Sequence, residues 1–286
     1  MTIAKTVDLV RAARQAGYAV PAVNIVDDLS MRAIIAAAEQ AQSPIIIQTS
    51  VKTVKSMGAE IISGIFQHAA STVSVPVALH LDHCPDRAVI TEVIRHGWSS
   101  VLFDASDRPL QQAWDETREV VAECHAAGVG VESEIENIVG VEDGVGSDEA
   151  THSYSNAKLV EVAQDTGTDL LAPALGTAHG LYKASPVLQY DRVAELGRLT
   201  DKPVVLHGGT GLSPEDFQRF MDNGVAKINI STTVKLAYMH AARDHIAKAE
   251  QTGKWEPVKM FDDINAAVQA TVIEHIGEFG SKGAAA

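Results

Sequence analysis

The chain is 286 residues long and carries 37 Asp+Glu against 23 Lys+Arg, a formal net charge of −14. That length buries a substantial core, as one large α/β domain or two average ones, and the acidic balance leaves no basic excess for nucleic-acid phosphates or an anionic membrane. A small phosphorylated ligand stays open, since it needs only one locally positive pocket. Cys84 and Cys124 are too few for a disulfide framework. The opening MTIAKTVDLVRAARQ lacks a signal-peptide pattern, and apolar stretches such as 43–51 are too short to span a bilayer. A soluble, cytoplasmic protein is expected.

Short apolar runs alternate with longer amphipathic segments along the chain. Strands are predicted at Ala19–Ile25, Pro44–Thr49, Pro76–Leu81, Ser100–Asp104, Val129–Ile135, Asp169–Ala174, Pro203–His207 and Ala226–Ile230. Several, such as PIIIQT and PVVLH, are apolar almost throughout, as parallel strands covered on both faces are. Helical periodicity fills the intervals, for instance LSMRAIIAAAEQA and RAVITEVIRHG. Gly17, Gly97, Gly128, Gly167 and Gly224 fall where helices should stop, and Ser213-Pro214-Glu215-Asp216 where one should start. Eight β-then-α units without a linker predict a single closed (β/α)8 TIM barrel over 1–286. Thr232–Gln251 supplies the eighth helix and Pro257–Gly280 an additional helical segment, so that 252–286 forms a C-terminal extension.

In such a barrel the chemistry gathers at the C-terminal strand ends. His83, His179 and His207 each stand at or just past a different strand end, and three neutral imidazoles with an open fourth position make a catalytic zinc site. Asp82, beside His83, either transfers a proton or orients a histidine. His80 shares its strand face. Asp104 and Glu134 are candidates for a second cation or for outer contacts. His207-Gly208-Gly209-Thr210-Gly211, with Ser231 and Thr232 opening the eighth helix, has the glycines and the helix N-terminus that let backbone N–H groups approach a phosphate. The Gly- and acid-rich loop Asn137–Ser153 reads as a lid, in which Glu142 and Asp143 are either a solvated charge run or the carriers of a base.

Taken together, the sequence resembles the class II, zinc-dependent ketose-phosphate aldolases of the fructose- and tagatose-bisphosphate type. The resemblance runs from YAVPAVN at 18–24 to FGSKG at 279–283. It rests on HLDH at 80–83, VESE at 131–134 with EDG at 142–144, GTAHG at 176–180, LHGGTGL at 206–212 and KIN at 227–229. It implies that His83, His179 and His207 bind zinc, that Asp82 is the acid/base at the C4 hydroxyl, and that Glu142 is the lid base at C3. Asp104 and Glu134 match positions that hold an alternative or second cation. Gly180, Gly208, Thr210, Asn229, Ser231 and Thr232 match the dihydroxyacetone phosphate cradle, to which Asn24 and Gly209 are added, and Ser50 matches a sugar-hydroxyl contact. A homodimer or homotetramer is implied as well.

One departure concerns the substrate. Bisphosphate-cleaving members place an arginine in the C-terminal helical region against the far phosphate, but no arginine follows Arg243 here and Asn265 takes that position. Lys52, Lys183 or Lys282 would have to supply the charge. Alternatively the far end of the ketose phosphate is a carboxylate or sulfonate. Glu136 also stands where many relatives carry glycine. Three rivals are a Schiff-base aldolase using Lys227, a zinc hydrolase, and a non-catalytic barrel subunit of an aldolase complex.

Overall fold

The computed structural model describes residues 2–142, 145–147, 152–182 and 185–285. Its elements are α1 (Thr6–Ala16), β1 (Val20–Asn24), α2 (Asp28–Ala41), β2 (Ile45–Ser50), α3 (Val51–Met57), α4 (Ala59–Ala70), β3 (Val77–Cys84) and α5 (Arg87–Arg95). There follow β4 (Ser100–Asp104), α6 (Leu110–Ala126), β5 (Gly130–Glu134), β6 (Gly140–Glu142), β7 (Val145–Ser147), α7 (Asn156–Thr166), β8 (Leu170–Leu171) and α8 (Tyr190–Leu199). The chain continues through β9 (Val204–Leu206), α9 (Pro214–Asp222), β10 (Val225–Ile230), α10 (Thr232–Thr252) and α11 (Pro257–Glu278). Eight strands close a parallel barrel in the order β1-β10-β9-β8-β5-β4-β3-β2, the closure that eight βα units predict.

Period-two alternation divides the barrel by height. Val20, Ala22, Ile46, Ala78, Val205 and Ala226 pack as one apolar cluster with Val10 and Ala13 of α1, which thereby plugs the N-terminal end. Toward the C-terminal strand ends the side chains turn polar: Asn24, Gln48, His80, Asp82, Glu132, Glu134 and Asn229, all buried. The apolar half packs the closed end of the barrel, and the buried charges Asp82, Glu132 and Glu134 stand in the polar half.

Local signals act where the sequence puts them. Ser213 and Asp216 cap α9 reciprocally, with Pro214 in the first turn. On α11, Ile264, Val268, Val272 and Ile276 repeat every fourth residue and are buried, in a helix that packs against α2 and α10. Fully burying each such side chain contributes roughly 1.5–3 kcal/mol.

Two expectations change. The sixth barrel strand pairs only over Leu170–Leu171, shorter than Asp169–Ala174, because Pro173 has no N–H to extend the ladder. Within the predicted loop 137–153, β6 and β7 form a two-stranded antiparallel sheet in which Glu142 pairs with Val145. No helix among the described residues is long and apolar enough to cross a membrane.

Candidate metal centre at the barrel mouth

The centre begins with an irregularity in β3. Leu81 pairs with Val101 of β4, but the next pair is Cys84 with Phe103, so one extra residue is inserted. His83 absorbs it at φ +39°, a left-handed conformation costing on the order of 1–2 kcal/mol for a non-glycine residue. Without this bulge Asp82 and His83 would project to opposite faces. With it, Asp82 meets β1 and β10 while His83 meets β4, β5 and β9.

The three histidines converge. Ring centroids lie 4.8 Å apart for His83–His179, 4.7 Å for His83–His207 and 5.9 Å for His179–His207. One nitrogen from each falls within 4.8 Å of the others, all three residues being buried. His83 Nε2 is 2.9 Å from His207 Nδ1, and among the described residues neither ring nitrogen of His179 has a hydrogen-bond partner. Orphaned, buried imidazole nitrogens aimed at one point are costly unless something occupies that point.

The charge state agrees with a cation site. Burial pushes His179 down to about 3, and burial, followed by His83 and Lys227, holds His207 well below the usual imidazole range. Both are therefore neutral, as metal ligands must be. Burial acts the same way on His83, but Asp82, Glu134 and Asp104 outweigh it and hold its imidazole well above the usual range. The acids around His83 thus demand positive charge, which a proton meets when no metal is bound.

Those acids are individually held. Asp82 accepts from Asn24 Nδ2 at 2.9 Å and from Asn229 Nδ2 at 3.2 Å. Burial would raise its carboxyl, yet His83, His207 and Lys227 keep it below the ordinary range. Asp104 accepts from Ser106 Oγ at 2.6 Å, lies 3.0 Å from His83 Nδ1, and is held at about 2 by these partners against its burial. Glu134 Oε2 is 3.5 Å from His83 Nδ1 without a hydrogen bond, and burial and Asp104 raise its carboxyl well above the usual range. His83, Asp104 and Glu134 form a second group able to hold a cation.

Beside the histidines, the segments after β8, β9 and β10 carry the small residues Gly180, Gly208, Gly209 and Ser231. A Cβ on Gly208, at φ +68°, would sit 2.4 Å from the Ala178 carbonyl oxygen, and one on Gly209 3.3 Å from that of Asn229. Gly180, at φ +82°, has no atom within 4 Å of such a Cβ. Thr210 Oγ1 meets Thr233 Oγ1 at 3.0 Å, while the buried Ser231 Oγ, just before α10, has no partner among the described residues. Thr232 opens α10.

Other positions fare differently. Ser50 is buried opposite Asp82 in the β2–β3 register, but its Oγ caps α3 by accepting from Thr53 N at 3.2 Å. Lys52 is exposed in the first turn of α3, and Lys282 is exposed beyond α11. The side chain of Glu142 lies outside the described residues, as do Asp143 and Lys183. Asn265 lies in α11 and lines an outer groove of about 400 Å³ with Arg32, Ile65 and His68.

Sequence reasoning gave no role to Glu132, although it shares a strand face with Glu134. Its Oε1 is 2.8 Å from His207 Nε2 and its Oε2 accepts from Lys227 Nζ at 2.7 Å. Gln48, also missed, donates to Asn24 Oδ1 at 3.0 Å and so fixes the amide that holds Asp82.

A family model described as fructose-bisphosphate aldolase class-II matches residues 4–284. Among solved structures, a protein from Coccidioides immitis provisionally assigned as a fructose-1,6-bisphosphate aldolase superposes with a TM-score of 0.90 at 29% identity, covering 98% of each chain. The YdjI aldolase of Escherichia coli K12 gives 0.86 at 28%, covering 99% of this chain and 100% of that one. The fructose-bisphosphate aldolase of Campylobacter jejuni, at 22% identity and 0.83, covers 98% of this chain and 96% of that one and shares the fold.

Proposed function

We propose that this chain, which belongs to the class-II fructose-bisphosphate aldolase family, cleaves a ketose 1-phosphate or 1,6-bisphosphate to dihydroxyacetone phosphate and an aldehyde, and catalyses the reverse condensation. The observation that carries the reading is the convergence of three buried imidazoles on one point beside a buried carboxylate.

His83, His179 and His207 would hold the divalent cation that the family uses, and three imidazoles with no thiolate favour Zn2+. Bound there, such a cation stabilises the negative charge that develops on the ketone oxygen. Asp82 takes the proton from the C4 hydroxyl as the C3–C4 bond breaks, the bonding pair passing to C3. The Asn24 and Asn229 amides aim Asp82, and His83, His207 and Lys227 favour its ionised form. Glu142 is assigned the return of a proton to C3 on the family resemblance. Gly180, Gly208, Gly209, Thr210, Asn229, Ser231 and Thr232 receive the C1 phosphate. That clamp, remote from the reacting bond, fixes the substrate's register. Asp104 and Glu134 are assigned a second cation.

The Schiff-base rival is disfavoured because Lys227 is fully buried and donates to Glu132, whereas imine formation needs an accessible free amine. A hydrolase leaves the glycine-walled loop unused, and a non-catalytic subunit leaves Asp82 and its two amide donors unused. The absence of arginine after Arg243, with Asn265 on α11, favours a second substrate reading: a far end bearing carboxylate or sulfonate in place of phosphate, or a phosphate met by Lys52.

The chain is read as one domain over 1–286, with 252–286 as a helical extension. A homodimer or homotetramer is supported by α10, which buries only Val234 and Ala249, and by exposed Met239, Ile246, Trp255 and Val258. A cytoplasmic setting is consistent with two free, buried cysteines.

The test is coupled detection of dihydroxyacetone phosphate from fructose and tagatose 1,6-bisphosphates and from ketose 1-phosphates ending in a carboxylate, with and without EDTA. Chelator-sensitive release from any of them supports the reading. A Zn2+-loaded chain that releases none from the whole panel contradicts it.

A further inference from the structure

We infer that the buried Lys227–Glu132 pair is a positioning device for His207, holding its ring as the Nε2–H tautomer so that Nδ1 alone is presented to a cation. The inference rests on the metal-centre reading above and adds the residues that aim one of its ligands.

Glu132, on β5, is a bridge between two neighbours across the barrel. Its Oε1 lies 2.8 Å from His207 Nε2, and its Oε2 accepts from Lys227 Nζ at 2.7 Å. His207 is 1% exposed and both partners are 0% exposed, so water cannot substitute for either contact. An ionised carboxylate only accepts hydrogen bonds, so the nitrogen facing it must be the one carrying hydrogen. The remaining nitrogen, Nδ1, is then a lone-pair donor, and it is the atom 2.9 Å from His83 Nε2. The Asn229 amide nitrogen lies 3.3 Å from Nδ1 and 3.4 Å from Nε2, so it does not distinguish the two nitrogens and the choice rests on Glu132.

The arrangement is expensive as structure. Burying two opposite charges seldom beats packing apolar residues of the same volume, and the barrel already closes its lower half with valine, alanine and isoleucine. What the ion pair supplies and an apolar pair could not is an acceptor fixed against one imidazole nitrogen. Lys227 gives the balancing charge that allows a carboxylate at full depth. His80, whose Nδ1 is 2.7 Å from Ser100 Oγ and whose Nε2 is 3.8 Å from Glu132 Oε2, walls the pair from below.

The test compares the EDTA-stripped wild-type chain with Glu132→Leu/Lys227→Met, which removes both charges at similar volume, and with Glu132→Gln/Lys227→Met, which keeps a carbonyl acceptor. Co2+ and Zn2+ affinities are read by competition with a chromophoric chelator, melting by circular dichroism, and histidine tautomers by 15N long-range spectra of the Zn2+-loaded chain. The Leu/Met variant should melt within a few degrees of wild type yet bind both cations about 10- to 100-fold more weakly, and the Gln/Met variant should recover most of the loss. The wild-type spectrum should show His207 coordinated through Nδ1. Wild-type affinity in a folded Leu/Met variant overturns the inference. So does coordination of wild-type His207 through Nε2, whether or not the variants fold. A wild-type chain that binds neither cation overturns the metal-centre reading itself and this inference with it.

Discussion

Replacing Arg192 with methionine strips the counter-charge from Glu136. Glu136 is fully buried and Arg192 has a side chain 12% exposed, and their guanidinium–carboxylate contact is 2.9 Å. The carboxylate also accepts from Tyr154 N at 2.6 Å and from Ala174 N at 3.0 Å. Arg192 donates onward to the Ala174 and Tyr154 carbonyls at 2.6 and 2.9 Å and to Asn156 Oδ1 at 2.9 Å. The pair therefore ties the residue entering segment 137–153 to the residue leaving it, and both to the loop after β8. Breaking a buried pair from one side leaves an uncompensated charge and costs about 3–5 kcal/mol. At roughly 2 °C per kcal/mol for a chain of this size, Arg192→Met should lower the melting temperature by about 6–10 °C. Glu136→Gln/Arg192→Met should recover much of that, because the buried charge goes as well. Urea unfolding of these two variants, of Glu136→Gln alone and of the wild type gives the coupling energy directly. A single variant melting within 2 °C of wild type, or a cycle with coupling below about 0.5 kcal/mol, would refute the claim that Glu136 is held as a buried carboxylate by Arg192.

Other outcomes follow from the site. Asp82→Ala should keep its full cation content by elemental analysis while losing about 10²- to 10⁴-fold in turnover; loss of the metal would contradict the proton-transfer role. Ser231→Ala deletes a buried hydroxyl with no partner among the described residues, so urea stability should be unchanged while inorganic phosphate binding, read by calorimetry, weakens roughly 10-fold or more, the worth of a hydrogen bond to a charged group. Unchanged phosphate affinity would remove Ser231 from the cradle. In the metal-stripped chain His179 is neutral down to about 3, below the roughly 6.5 of a free imidazole, so the unfolded state takes the proton first. The stability that His179 contributes should be complete above roughly pH 6.5 and be lost from there toward pH 3, with Asp104, held at about 2, adding its loss as the pH falls below roughly 4, while His83, held well above the usual imidazole range, acts in the opposite sense and loses its share as the pH rises above roughly 6.5. His179→Gln should flatten the upper part of that decline, and an unaltered pH profile would contradict the buried, neutral state of His179.

How far the sequence reaches depends on the range of the interaction. The strands are local patterns, and the runs PIIIQT, PVALHL and PVVLH fall where β2, β3 and β9 form because a strand covered on both faces needs nothing but apolar, β-branched residues. The antiparallel pairing of β6 with β7 was hidden by the acid and glycine content of that stretch, which reads as a loop. The bulge at His83 had no local signal. HLDH reads as alternating residues, and alternation would have sent Asp82 and His83 to opposite faces; pairing of β3 with β4 and the left-handed His83 bring both into the mouth. The contacts furthest from view were those made across the barrel, where Glu132 lies 95 positions from Lys227 and 75 from His207.

Those cross-barrel contacts explain why the polar half of the barrel tolerates so many acids. Asp82, Asp104, Glu132 and Glu134 are all buried within it. Each is matched differently: Asp82 by two amides, Asp104 by Ser106 and His83, Glu132 by Lys227 and His207, while Glu134 Oε2 has no hydrogen-bond partner among the described residues. Glu132 has a partner on each of its oxygens, whereas the matching is incomplete around His83, where among the described residues His179 presents two nitrogens without a hydrogen-bond partner. A barrel stabilised only by its own contacts would close that gap with an apolar pair, as it does beneath α1. Leaving it open beside a glycine-walled loop is the arrangement expected when the missing partners arrive from outside, a cation at the imidazoles and an anionic substrate at the loop.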